Sequence, residues 1–87
     1  MTATVTLPRM LAHAANTELS HEVDGTSVEE VLGSLFTLHP GLRGHIVDEG
    51  GAVRPHVSVF VDGAQATVES VVNNGSEVRI IQAVSGG

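Results

Sequence analysis

The chain has 87 residues and contains no cysteine, tryptophan, tyrosine or lysine. Without cysteine, no disulfide can support a small core and no thiolate is available to a metal. Phe36 and Phe60 are the only aromatics, too few to build a stacking platform for nucleic-acid bases. The bases are Arg9, Arg43, Arg54 and Arg79 alone, set against ten acidic residues, for a net charge of -6. Binding a phosphate backbone needs a basic face, so no nucleic-acid partner is expected. The acidic balance suits solubility, or docking onto a basic partner surface. No apolar run approaches the roughly 20 residues that a membrane-spanning helix requires. The opening residues Met1 to Val5 carry neither the basic nor the apolar region of a signal peptide. The expectation is a cytoplasmic protein with no membrane partner.

Five histidines are present, His13, His21, His39, His45 and His56. None stands at H-x-H or H-x-x-x-H spacing to another, so no metal site is expected. No serine is marked as a nucleophile by a neighbouring base. Gly50-Gly51 is too short to form a phosphate loop.

What is there is a regular succession of short elements. Ala3 to Leu7 alternates, with Val5 and Leu7 on one face, and predicts a first strand ended by Pro8. Arg9 to Asn16 is ambiguous, with room for a helical turn. Thr17 to Val23 predicts a returning strand with Leu19 and Val23 inward and His21 on the same face. Asp24-Gly25 marks a turn. Thr26, with Glu29 three residues on, predicts a capping box. The stripe Val28, Val31, Leu32, Leu35 and Leu38 follows helical spacing, and His39-Pro40-Gly41 stops it. Leu42 to Val47 predicts a second short helix, and Asp48 to Gly51 a loop. His56 to Val61 predicts a strand, with Val57, Val59 and Val61 on one face and Ser58 and Phe60 on the other. Asp62-Gly63 turns into a short segment over Ala64 to Ala66, and Asn73-Asn74-Gly75 turns again. Glu77 to Val84 predicts the last strand, with Val78 and Ile80 inward and Arg79 and Ile81 outward.

One main helix can cover only one face of such a sheet. The expected fold is α+β, a β-grasp of four to five strands in a mixed sheet around one main helix. It forms a single domain over residues 1–84, followed by a flexible tail, residues 85–87. The tail is the strongest functional signal. Ser85-Gly86-Gly87 follows directly from a strand, which fixes its root. Its two glycines, lacking Cβ atoms, can enter a slot too narrow for other residues, and the three residues reach roughly 10 Å when extended. The terminal carboxylate of Gly87 is a poor electrophile until activated. The outward Phe60, Arg79 and Ile81 mark a candidate docking face on the uncovered side of the sheet.

The terminal run from Gly75-Ser76-Glu77-Val78-Arg79-Ile80-Ile81 to Ser85-Gly86-Gly87 resembles the final strand and tail of the ubiquitin-like sulfur carriers. The segment Arg54-Pro55-His56-Val57-Ser58-Val59-Phe60-Val61-Asp62-Gly63 resembles their central strand and turn, and the helix from Thr26-Ser27-Val28 their helix. That family includes the molybdopterin synthase small subunit, the thiamine sulfur carrier and the sulfur carrier of an actinobacterial cysteine pathway. The resemblance implies that Gly87 is adenylated by an enzyme related to ubiquitin-activating enzymes, which uses ATP. A sulfur donor, a sulfurtransferase or sulfide, then forms the thiocarboxylate, and a biosynthetic enzyme accepts the sulfur. The resemblance further implies that the chain is a cosubstrate, or the small subunit of a sulfur-transferring complex, rather than an independent enzyme, and that it binds no cofactor of its own. Gly86 gives access to Gly87. Phe60, Arg79, Ile81, Val84 and Ser85 are the candidate partner contacts. Gln82 departs from the family, where proline is common, as does His56. The acceptor pathway stays open, whether molybdenum cofactor, cysteine or another metabolite. So do two other classes, a modifier conjugated through Gly87 and an interaction module with an inert tail.

Overall fold

The computed structural model describes residues 1–83. The expected last strand to Val84 and the expected tail, Ser85, Gly86 and Gly87, lie partly or wholly outside them. The strands are β1 (Thr2–Thr6), β2 (Ser20–Asp24), β3 (Val57–Val61), β4 (Ala64–Ala66) and β5 (Glu77–Gln82). They form one sheet in the order β2-β1-β5-β3-β4. Every neighbouring pair is antiparallel except β1 with β5, which is parallel. The principal helix, α2 (Val28–Leu38), packs on one face of this mixed sheet. The architecture is the expected α+β β-grasp.

Alternation explains the two faces. Ala3, Val5 and Leu7, Val23, Val57 and Val59, and Val78 and Ile80 are buried on the helix side. Val28, Val31, Leu32 and Leu35 of α2 meet them from above, each 3% exposed or less, which stabilises the fold by roughly 1.5–3 kcal/mol per side chain. Leu42, Ile46 and Val47 close the remaining flank. Leu42 comes from a 3-10 turn (Pro40–Leu42) and Ile46 from the short helix α3 (Arg43–Ile46), with Val47 the extended residue that ends it; together they occupy the span expected for a second helix.

One open stretch is resolved and three local expectations are corrected. The ambiguous stretch is a helix, α1 (Arg9–Ala14), which buries Leu11 and Ala12. It ends where Asn16 takes a left-handed conformation (φ 54) and Thr17 N–H bonds the Ala12 carbonyl at 2.9 Å, a Schellman-type stop. That helix delays β2 until Ser20, so Leu19 is 43% exposed rather than inward. Helix α2 is capped by Ser27 and not by Thr26. The Ser27 hydroxyl accepts the Glu30 N–H at 3.2 Å, and Glu30 Oε1 accepts both the N–H (2.9 Å) and the hydroxyl (2.8 Å) of Thr26. The cap therefore lies one residue later than Thr26 and Glu29 suggest, and Glu30 reaches back to Thr26 rather than to the Ser27 N–H that a full capping box would use. Finally, Leu38 is 62% exposed. It lies on the last residue of α2, where the helical stripe has run out of sheet to cover.

Candidate functional site

The sheet face opposite α2 carries the residues whose side chains alternate away from the core. Register sets them in rows. Ser20, Thr6, Arg79, Phe60 and Gln65 are successive cross-strand partners across all five strands. Ile81 pairs with Ser58 in the neighbouring row, so Phe60 and Ile81 are diagonal neighbours, a spacing within reach of an aromatic side chain. Phe60 is half-buried and is absent from the residues packed on the core, and Ile81 is 43% exposed. Arg79 is exposed and lies 3.6 Å from Glu77 on its own strand, an arrangement of little energetic weight. The structure thus brings Phe60, Arg79 and Ile81 onto one face, opposite α2 among the described residues. The other candidates, Val84, Ser85, Gly86 and Gly87, lie outside the described residues.

The base of the tail is held on two sides. At its C-terminal end the strand ladder continues past Gln82, because Ala83 N–H donates to the His56 carbonyl at 2.7 Å. At its N-terminal end β5 is fixed by Asp62, which sequence reasoning treated only as a turn residue. Asp62 stands in the left-handed region (φ 50). Its carboxylate accepts the Glu77 N–H at 2.9 Å and the hydroxyl of buried Ser76 at 2.8 Å, while Ser76 Oγ accepts the Asn73 N–H at 3.1 Å. These bonds, the Glu77 N–H first and the Ser76 hydroxyl second, hold the Asp62 carboxyl below its ordinary range. The Asp-Gly pair signals the turn itself, but not these bonds, whose donors stand 14 and 15 residues away.

Among the described residues, no group of three or more histidine, aspartate or glutamate side chains is placed to hold a metal ion. No helix among them is long and apolar enough to cross a membrane.

A β-grasp domain with one principal helix, whose last strand is central in the sheet and leads toward a terminal diglycine, belongs to the ubiquitin-like class. Within that class the chain belongs to the ThiS family of sulfur carriers, whose model matches residues 5–87 and so includes both glycines. It is similar to small archaeal modifier protein 1 of Haloferax volcanii, 30% identical over 67 residues that make up 76% of this chain and 77% of the relative. The crystal structure of SAMP1 from that organism superposes with a TM-score of 0.89 at 26% identity, covering all of both chains. A chain in the crystal structure of the Amycolatopsis orientalis BexX/CysO complex superposes with a TM-score of 0.87 at 27% identity, over 98% of this chain and 99% of that one. Family members are small carrier or modifier proteins rather than catalysts.

Proposed function

We propose that this protein is a cytoplasmic sulfur carrier, and not itself an enzyme, whose reactive group is the carboxylate of Gly87. A partner related to ubiquitin-activating enzymes transfers AMP from ATP onto that carboxylate and releases pyrophosphate. Sulfide, or a persulfide on a sulfurtransferase, attacks the acyl adenylate and expels AMP. The sulfur is left on Gly87 as a thiocarboxylate (a persulfide donor needs a further thiol to release it). The thiocarboxylate sulfur then attacks an electrophilic intermediate held by a biosynthetic enzyme and displaces its leaving group, and water cleaves the resulting Gly87 thioester, returning the carboxylate and leaving the sulfur on the acceptor. The chain supplies access through Gly86, a fixed strand base at Gln82 and Ala83, and a face bearing Phe60, Arg79 and Ile81 for partner recognition, with Val84 and Ser85 in the partner's channel. ATP is the partner's cosubstrate, and no cofactor belongs to the carrier.

The observation that carries this reading is the family match running to Gly87 on a chain whose final strand is fixed at both ends. The test is the intact mass after incubation with ATP, sulfide and a cognate activating enzyme. Exchange of one oxygen for sulfur, abolished when Gly87 is deleted, is the expected result. An unchanged mass with an enzyme active on another carrier overturns it. Gly-Gly remnants on target lysines, without sulfur exchange, would assign the protein to the modifiers instead.

A further inference from the structure

The outer edge of β2 forms a second surface, away from the face just described. The bonds from Leu7 N–H to the Leu19 carbonyl (2.7 Å) and from Gly25 N–H to the Met1 carbonyl (3.3 Å) set the ladder with β1. By alternation along the strand, Leu19, His21 and Val23 spend their main-chain groups on β1, and Ser20 and Glu22 turn theirs outward. Among the described residues nothing bonds the outward groups of Ser20 and Glu22.

Helix α2 overhangs this edge on the core side. The Ser34 hydroxyl donates to the Asp24 carbonyl at 2.8 Å, and the rings of His21 and His39 meet with centroids 4.6 Å apart. Between these two ties lies a hollow lined by Glu22, Val23, Asp24, Ser34, Thr37 and Leu38. Leu38, the exposed end of the helical stripe, stands on its rim. On the opposite side of the strand, the open sheet face presents Ser20, Glu22 and Asp24 at the edge, with no arginine lining the hollow.

We propose that β2 is a docking edge for an extended segment of a partner protein, which adds to the sheet as a sixth strand. Its side chains would alternate between lysine or arginine and an apolar residue. Strand addition matches the unbonded donors and acceptors at Ser20 and Glu22. The period of two puts the segment's basic side chains beside Glu22 and Asp24 on the open face, and its apolar side chains over the hollow and Leu38 on the helix side. A second copy of this chain brings the same carboxylates and the same net charge of -6 to the contact, and is disfavoured by like-charge repulsion. The edge does not depend on Gly87, so it stands or falls separately from the sulfur-carrier reading.

The probe is a capped hexapeptide of alternating valine and lysine, titrated into the full chain and followed by amide NMR and hydrogen exchange. Expected are shifts and slowed exchange at the Ser20 and Glu22 amides, unchanged in a chain lacking Gly86 and Gly87. Glu22→Arg is expected to weaken binding by roughly tenfold or more through charge reversal. Glu22→Pro removes an edge donor and no ladder bond, a substitution edge strands tolerate, and is also expected to weaken it. The proposal is overturned by equal binding of a valine–glutamate hexapeptide, by perturbations centred on Phe60 and Ile81, or by sedimentation showing that the edge is closed by a second copy.

Discussion

Ala83 donates its main-chain N–H to the carbonyl of His56 at 2.7 Å, one residue beyond the end of β5. The last described residue is thus tied to the residue that leads into β3, and the distance from the sheet to Gly87 is only four residues. Ala83→Pro removes this donor. The expected cost is about 1 kcal/mol of stability, with a several-fold slower activation of Gly87, because the base of the tail is no longer aimed. Urea denaturation and the rate of adenylate formation check the two effects. An unchanged rate would show that aiming the base contributes nothing.

The cap of α2 separates two adjacent hydroxyls. Ser27→Ala loses the side-chain acceptor of the Glu30 N–H and is expected to cost about 1 kcal/mol. Thr26→Ala loses only one of two bonds to Glu30 Oε1, since the Thr26 N–H remains, and should cost less. Urea midpoints for the two variants give the order, and a larger loss at Thr26 would contradict the assignment of Ser27 as the cap.

Much of the fold was legible because short strands with one buried face announce themselves by alternation. Val57 and Val59, or Val78 and Ile80, read correctly with no tertiary information. The misses have physical causes. Helix α1 is too short to show a period, and only its Asn16 stop and the burial of Leu11 and Ala12 reveal it. The cap shifted by one because Thr26 with Glu29 and Ser27 with Glu30 are equivalent patterns in sequence, and only the backbone register chooses between them. Leu38 fits the helical stripe, but where a helix overhangs its sheet is a property of the packing. Phe60, Arg79 and Ile81 were placed on one face by parity alone. The role of Asp62 in holding β5 depends on Ser76 and Glu77, 14 and 15 residues away, and no local pattern encodes it.

Ile81 tests the open face. Its side chain is 43% exposed and outside the core, so Ile81→Asp is expected to change stability by no more than about 0.5 kcal/mol, as for surface positions generally. Placed among the contacts of an apolar docking face, the same charge is expected to weaken binding to the activating partner by about 2 kcal/mol or more. Surface plasmon resonance beside thermal denaturation reads both. Normal affinity in a folded variant would remove this face from partner recognition.

Two carboxyls tie stability to pH. Asp62 is held below its ordinary range first by the Glu77 N–H and then by the Ser76 hydroxyl. Glu30 is held below its own first by the Thr26 N–H and then by the Thr26 hydroxyl. In the unfolded chain both return to ordinary carboxyl behaviour, so on acidification the unfolded state takes up protons before the folded state does. Their contribution is therefore fully present above the ordinary carboxyl range and is lost as pH falls through the lowered folded values. The denaturation midpoint is expected to be flat with respect to these two groups near neutrality and to drop below about pH 4. Asp62→Asn and Glu30→Gln should each be less stable than the parent at neutral pH and converge toward it in acid, because the parent has then lost the same charged acceptor. Chemical denaturation across the acid range measures this convergence. Parallel curves for variant and parent down to the lowest pH would show that these carboxyls do not titrate differently in the folded and unfolded chain.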